Sequence, residues 1–228
     1  MTEHQQAAVA GGRRSAWREI VADFSRDVRT YPFGWSKAMM WIFILSDLFV
    51  FGGFLAAYAG ARMAATQPWP DRGHVFSLTI GGAEVPLLLI AIMTFILISS
   101  SGTVALSVAA SHERNRSKTA ALLGLTLVLG ACFLGMQAYE WTHLIHEGFL
   151  PSSNPAGASQ FGATFFMITG FHGTHVAIGL IFLARVLLRV LRGYYDRIGT
   201  WEQVEVAGLY WHFVDLVWVF IFAFIYLI

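Results

Sequence analysis

Fifteen basic and fourteen acidic side chains are spread over 228 residues, yet five stretches are almost free of them. Residues 38–61, 85–110, 119–139, 159–184 and 206–228 together carry only Asp47 and Asp215. Each stretch is 21 to 26 residues long. As a helix rising about 1.5 Å per residue, each exceeds the roughly 30 Å hydrocarbon core of a bilayer. In that core the backbone has no water to bond, so helices that satisfy their own amides are the form open to such segments. The expectation is an all-α integral membrane protein whose five-helix bundle occupies residues 36–228. With 56% hydrophobic residues and this segregation of charge, a soluble enzyme, a disordered chain and a disulfide-rich domain are excluded.

The charges outside the stretches predict an orientation. With a cytoplasmic N-terminus, thirteen of the fifteen basic residues face inward, from Arg13 to Lys37, from Arg114 to Lys118 and from Arg185 to Arg197. Only Arg62 and Arg72 face outward. The positive-inside rule therefore predicts a multi-pass membrane protein, its N-terminus cytoplasmic and its C-terminus outside. The basic residues are thereby explained as an orientation signal, and no nucleic acid partner is expected. The single cysteine, Cys132, lies inside the third stretch, so neither an internal disulfide nor a cysteine-based metal site is expected. No cleavable signal is expected either, because the first apolar run follows a long charged tail.

Ahead of the first stretch, residues 1–14 read as a disordered tail and residues 15–35 as an interfacial segment. Trp17, Ile20, Val21, Phe24 and Val28 recur at helical spacing with Arg18, Glu19, Asp23, Arg26 and Asp27 opposite. That pattern predicts an amphipathic helix lying on a membrane surface or on a partner. The connections are short. The longest, about 62–84, carries Pro68-Trp69-Pro70-Asp71 and Gly81-Gly82, and Pro86 is expected in the first turn of the second helix.

An ionisable group within the hydrocarbon is costly unless it is partnered and faces inward. By rise arithmetic Asp47, His172, His175, His212 and Asp215 share one depth near the midplane. Glu140, His143 and Glu84 form a second polar set close to the outer surface. His172 and His175, His212 and Asp215, and Glu140 and His143 are each three residues apart and share a helix face. Spacing alone leaves several readings of the midplane set: a hydrogen-bonded, proton-handling or structural network, a haem held by two imidazoles, or a transport site. A di-iron centre is disfavoured, since Glu140 and His143 lie half a bilayer from the other groups.

Longer motifs narrow the choice. Gly170-Phe171-His172-Gly173-Thr174-His175-Val176 resembles the GFHGxHV motif of subunit III of haem–copper terminal oxidases. Tyr210 to Trp218 looks like that family's YWHFVDxVW signature, Gln137-Ala138-Tyr139-Glu140 like its QAxE, and Glu84-Val85-Pro86-Leu87 like its EVPL. All four occur in the family's order, across about residues 36–228. The resemblance implies an accessory subunit with no catalytic residue, metal or cofactor of its own. Haem and copper would then reside in partner subunits I and II, within a hetero-oligomeric, proton-pumping complex of aerobic respiration. It further implies packing on subunit I, bound phospholipid, and support of proton uptake and durable turnover. Asp47, His172, His175, His212 and Asp215 become a proton-handling or structural network.

Full-length mitochondrial members have seven spans, and this five-span chain resembles bacterial forms, which implies a place in a bacterial plasma (inner) membrane. The family's lipid cleft is accordingly expected to be open or completed by another subunit. Asp47 falls where the family has a buried Glu, a feature resembling the quinol-oxidising branch, whereas Gly170-Phe171 and Val214 resemble the cytochrome c branch. The electron donor stays open on these residues. Outside the family, a haem-binding electron carrier and a proton-coupled transporter remain as rival classes.

Overall fold

The structure, a computed structural model, describes residues 34–80, 83–155 and 157–227. The disordered tail and most of the amphipathic segment expected at 15–35 lie outside the described residues. The chain divides into two compact units, residues 1–38 and 39–228. The described part of the first is the opening turn of a helix, and the second holds the bundle.

Five helices among the described residues are long and apolar enough to cross a membrane. They are α1 (Trp35–Met63), α3 (Leu88–His112), α4 (Arg116–His146), α5 (Gln160–Leu191) and α7 (Glu202–Ile221), the last continuing as a π-helix over Phe222–Leu227. Most run a turn or two beyond the charge-free stretches, because charged residues at their ends join the helix without entering the apolar layer. Between α1 and α3 the connection is more structured than its composition suggests. It contains a one-turn helix, α2 (Arg72–Val75), and a hairpin of β1 (Ser77–Ile80) with β2 (Ala83–Pro86). Pro86 therefore closes a strand and does not open α3. Leu87, with φ 58°, makes the turn between them.

α4 lies between α3 and α5, and α7 closes the ring by packing against α5 and α3. One side chain keys these four helices together. Trp211 of α7 is fully buried, and its indole Nε1 donates to Ser100 Oγ of α3 at 2.9 Å. The same ring fills a slot floored by Gly130 of α4 and Gly179 of α5. A Cβ added at Gly130 would come within 2.6 Å of the indole, and one at Gly179 within 3.0 Å. Small residues allow such close approach between helices, which in lipid pack without a hydrophobic driving force. Further cross-helix bonds run from Trp218 Nε1 to Thr94 Oγ1 (3.0 Å), Tyr210 Oη to the His175 carbonyl (2.9 Å) and Gln137 Nε2 to the Thr169 carbonyl (2.9 Å).

α1 is held differently. It meets the ring through large side chains, Phe51 against Phe171 and Phe213, Phe54 against Phe171, and Phe43 against Tyr210, and its Tyr58 packs on Trp69 of the connection to α3. Most of its apolar face, from Trp41 to Val50, is exposed. At the end of the bundle away from the hairpin, α6 (Tyr194–Ile198) turns the chain from α5 into α7. There the Arg116 guanidinium caps the Leu191 carbonyl, and Arg189 and Tyr195 both donate to Gln203 Oε1.

Candidate functional site

α1 turns Asp47 toward α5 while its neighbours Leu45 and Leu48 stay exposed. Asp47 Oδ2 lies 2.9 Å from His175 Nε2, both groups being nearly buried. The other ring nitrogen, Nδ1, sits 2.8 Å from the Phe171 carbonyl oxygen one turn earlier. A carbonyl only accepts, so Nδ1 carries the hydrogen. A proton held between Nε2 and Oδ2, on the imidazole as an ion pair or on the carboxyl group as a neutral pair, would make the pair's net charge zero and keep an uncompensated charge out of the apolar interior. Phe171 and Phe51 cover the imidazole, with ring centroids 4.7 and 5.4 Å away.

His172 does not join this contact. Three residues apart on an α-helix means about 60° apart around its axis. That divergence turns His175 to α1 and His172 into the ring. His172 is fully buried, and neither nitrogen has a hydrogen-bond partner in the protein. Its neighbours are aromatic: Trp218 at 5.2 Å, Phe133 at 5.9 Å and Phe51 at 6.4 Å.

His212 and Asp215 form a third locality. His212 Nδ1 is 2.6 Å from Ser101 Oγ of α3. Asp215, whose two oxygens are buried without a hydrogen-bond partner in the protein, faces the same serine. The five residues expected as one midplane network are thus distributed over three places: an α1–α5 pair, an aromatic enclosure, and an α3–α7 cluster around Ser101. Among the described residues no three His, Cys, Asp or Glu side chains gather as metal ligands.

The outer polar set also separates. Glu140 turns into the bundle at 5% exposure and accepts a bond from Tyr226 Oη at 3.2 Å. His143 points outward, stacks on Tyr139 and lies 3.6 Å from Glu147. Glu84 belongs to β2, in register with Thr79 of β1. Ser100, Ser101, Trp211 and Tyr226 were not singled out as site residues from sequence. A serine triplet in an otherwise apolar helix was the available signal for the first two. Tyr226 had none, because its placement depends on the π-helix.

Between α1 and the C-terminal half of α7 runs a groove of about 420 Å³. Leu48, Phe51, Leu55, Val217, Phe220 and Phe224 line it, with Gly52, Ala56 and Ala59 forming its floor on α1.

A family profile described as cytochrome c oxidase subunit III matches residues 23–228. Among curated proteins, the chain is 34% identical over 188 residues to the cytochrome bo(3) ubiquinol oxidase subunit 3 of Pseudomonas aeruginosa, covering 82% of each. It is 31% identical over 202 residues to a probable quinol oxidase subunit 3 of Staphylococcus aureus strain USA300, covering 89% of this chain and 93% of the other.

Proposed function

The chain belongs to the subunit III family of haem–copper terminal oxidases, as a multi-pass accessory subunit of a respiratory oxidase complex, and from that premise we propose that its complex oxidises quinol. The observation that carries this is agreement between two relatives from distant bacteria. Both are named as subunits of quinol oxidases, and both align over more than four fifths of their own length. Asp47 points the same way, while Gly170-Phe171 and Val214 argue for cytochrome c.

In this reading the chain packs on subunit I beside subunit II, which with subunit I carries the haem and copper, and contributes no redox group itself. Its N-terminus is cytoplasmic, a placement supported by the thirteen-to-two division of basic residues. The Asp47–His175 contact ties the loosely held α1 to α5 and retains one mobile proton, which suits a subunit that sustains proton uptake. His172 and the Ser101 cluster act as helix-to-helix fixings. The groove between α1 and α7 is apolar along its length and fits a phospholipid acyl chain.

Affinity purification through a tag on this chain tests the donor. Oxygen consumption by the purified complex should be driven by a ubiquinol analogue and not by reduced cytochrome c. Turnover with cytochrome c alone, together with copper bound to subunit II, would overturn the assignment.

A further inference from the structure

At the hairpin end of the bundle a narrow cleft leads from the surface to Glu140. Its walls are Val75 of α2, Phe76 just after it, and Leu89 and Ile90 of α3. Tyr139 and His143 of α4 form its polar edge. The free space is about 20 Å³, room for one water molecule. Glu140 Oε2 is held by Tyr226, but Oε1 is buried and has no hydrogen-bond partner in the protein. A buried carboxyl oxygen left this way is costly in an apolar setting, and water is the usual remedy where a polar cleft can admit it.

We propose that Glu140 is a proton-exchange site that binds a single water in this cleft and communicates with the aqueous phase on the hairpin side. Three independent features converge on it: the orphan oxygen, a cleft of matching size, and the π-helix that brings Tyr226 to the far oxygen. π-Helical turns are rare and concentrate at functional places. His143, about two fifths exposed and 3.6 Å from Glu147, also lines the cleft and is a second polar side chain there. Among the described residues, the titratable groups facing the cleft or the carboxyl group are Tyr226, Tyr139 and His143. Val75 of α2 and Leu89 and Ile90 of α3 line it with apolar side chains. In the exchange the carboxyl O–H bond breaks, its proton passes to the bound water and then to solvent, and the carboxylate keeps its bond from Tyr226. The site is separate from the Asp47–His175 pair and independent of the electron donor.

Infrared difference spectroscopy on the oxidase complex containing this chain, in lipid nanodiscs, tests the proposal. Wild type minus E140Q should show loss of one protonated-carboxyl stretch, and that band should shift within the mixing time on transfer to D2O. Leu89→Trp, which narrows the cleft and leaves Glu140 in place, should keep the band and slow its shift. Tyr226→Phe should move the band by removing a donor, and these two variants carry the test if E140Q does not assemble. A Glu140 band that resists D2O, no carboxyl band lost at any pH, or exchange in Leu89→Trp as fast as in wild type would each overturn it.

Discussion

Asp47 Oδ2 stands 2.9 Å from His175 Nε2 while the opposite nitrogen of the same ring is engaged by the Phe171 carbonyl. The backbone thereby dictates the tautomer, and a helix otherwise attached by ring edges gains one polar anchor to the bundle.

Removing the carboxyl group leaves the His175 nitrogen facing hydrocarbon. Breaking a buried pair by deleting one partner typically costs about 3–5 kcal/mol. Asp47→Ala should therefore lower the thermal midpoint of the chain in detergent and shorten the working life of the complex, with the haem spectrum unchanged. Asp47→Asn retains a hydrogen-bonding group of the same size but no exchangeable acid proton. It should keep most of the stability while losing any contribution to sustained proton uptake. A haem spectrum that collapses with the subunit still bound would contradict this reading.

Trp211 offers a graded series. Trp211→Phe deletes the bond to Ser100 and keeps most of the packing, a loss of about 1 kcal/mol. Trp211→Ala empties the slot between Gly130 and Gly179 and should cost about 3–5 kcal/mol. Gly130→Leu leaves no room for the indole and should block assembly of the bundle. Ser101→Ala removes the hydroxyl that both His212 and Asp215 face, and cross-helix bonds in lipid average about 0.6 kcal/mol. Unfolding of the four variants in mixed micelles should rank them in that sense, with Ser101→Ala nearest wild type.

Outside the spanning segments, burial pushes the Tyr195 phenol above its ordinary ionisation range, with the neighbouring Arg189 opposing. A tyrosine in an unfolded chain ionises near pH 10. The raised value in the folded state means that its contribution is complete below that pH and is lost as pH rises further. Tyr195→Phe should remove this alkaline component from a stability-against-pH curve and, through loss of the bond to Gln203, weaken the chain modestly at neutral pH.

Each histidine of the middle layer is committed to a neighbour or enclosed by rings. Chain purified in detergent without its partners should accordingly show no stoichiometric haem absorbance. A one-to-one haem band would revive the electron-carrier class and refute the non-redox role.

Charge segregation made the five helices legible, because an apolar run of that length has few other fates. The depth of Asp47 beside the midplane histidines was legible, but its partner was not. Depth follows from counting residues, but choosing between His172 and His175 depends on how α5 is rotated against α1, and a rotation of 60° decides it. The division of the middle layer into three places was hidden for the same reason. The hairpin escaped notice because Ser77–Pro86 shows little alternation and Gly81-Gly82 reads equally well as a loop. The Glu140–Tyr226 bond could not be foreseen at all, since regular α-helical counting assigns Tyr226 a different direction.

That final turn sets a phase. An α-helix advances about 100° per residue, so a one-residue change of winding re-aims everything beyond it. By loosening over Phe222–Leu227, the chain delivers Tyr226 to Glu140 while Phe220 and Phe224 still border the groove beside α1. Deleting any one residue of Phe222–Ile225 would leave composition and hydropathy almost untouched, yet it would swing the phenol out of reach of the carboxyl group. This turn is therefore specified by its residue count as strictly as by its residue types.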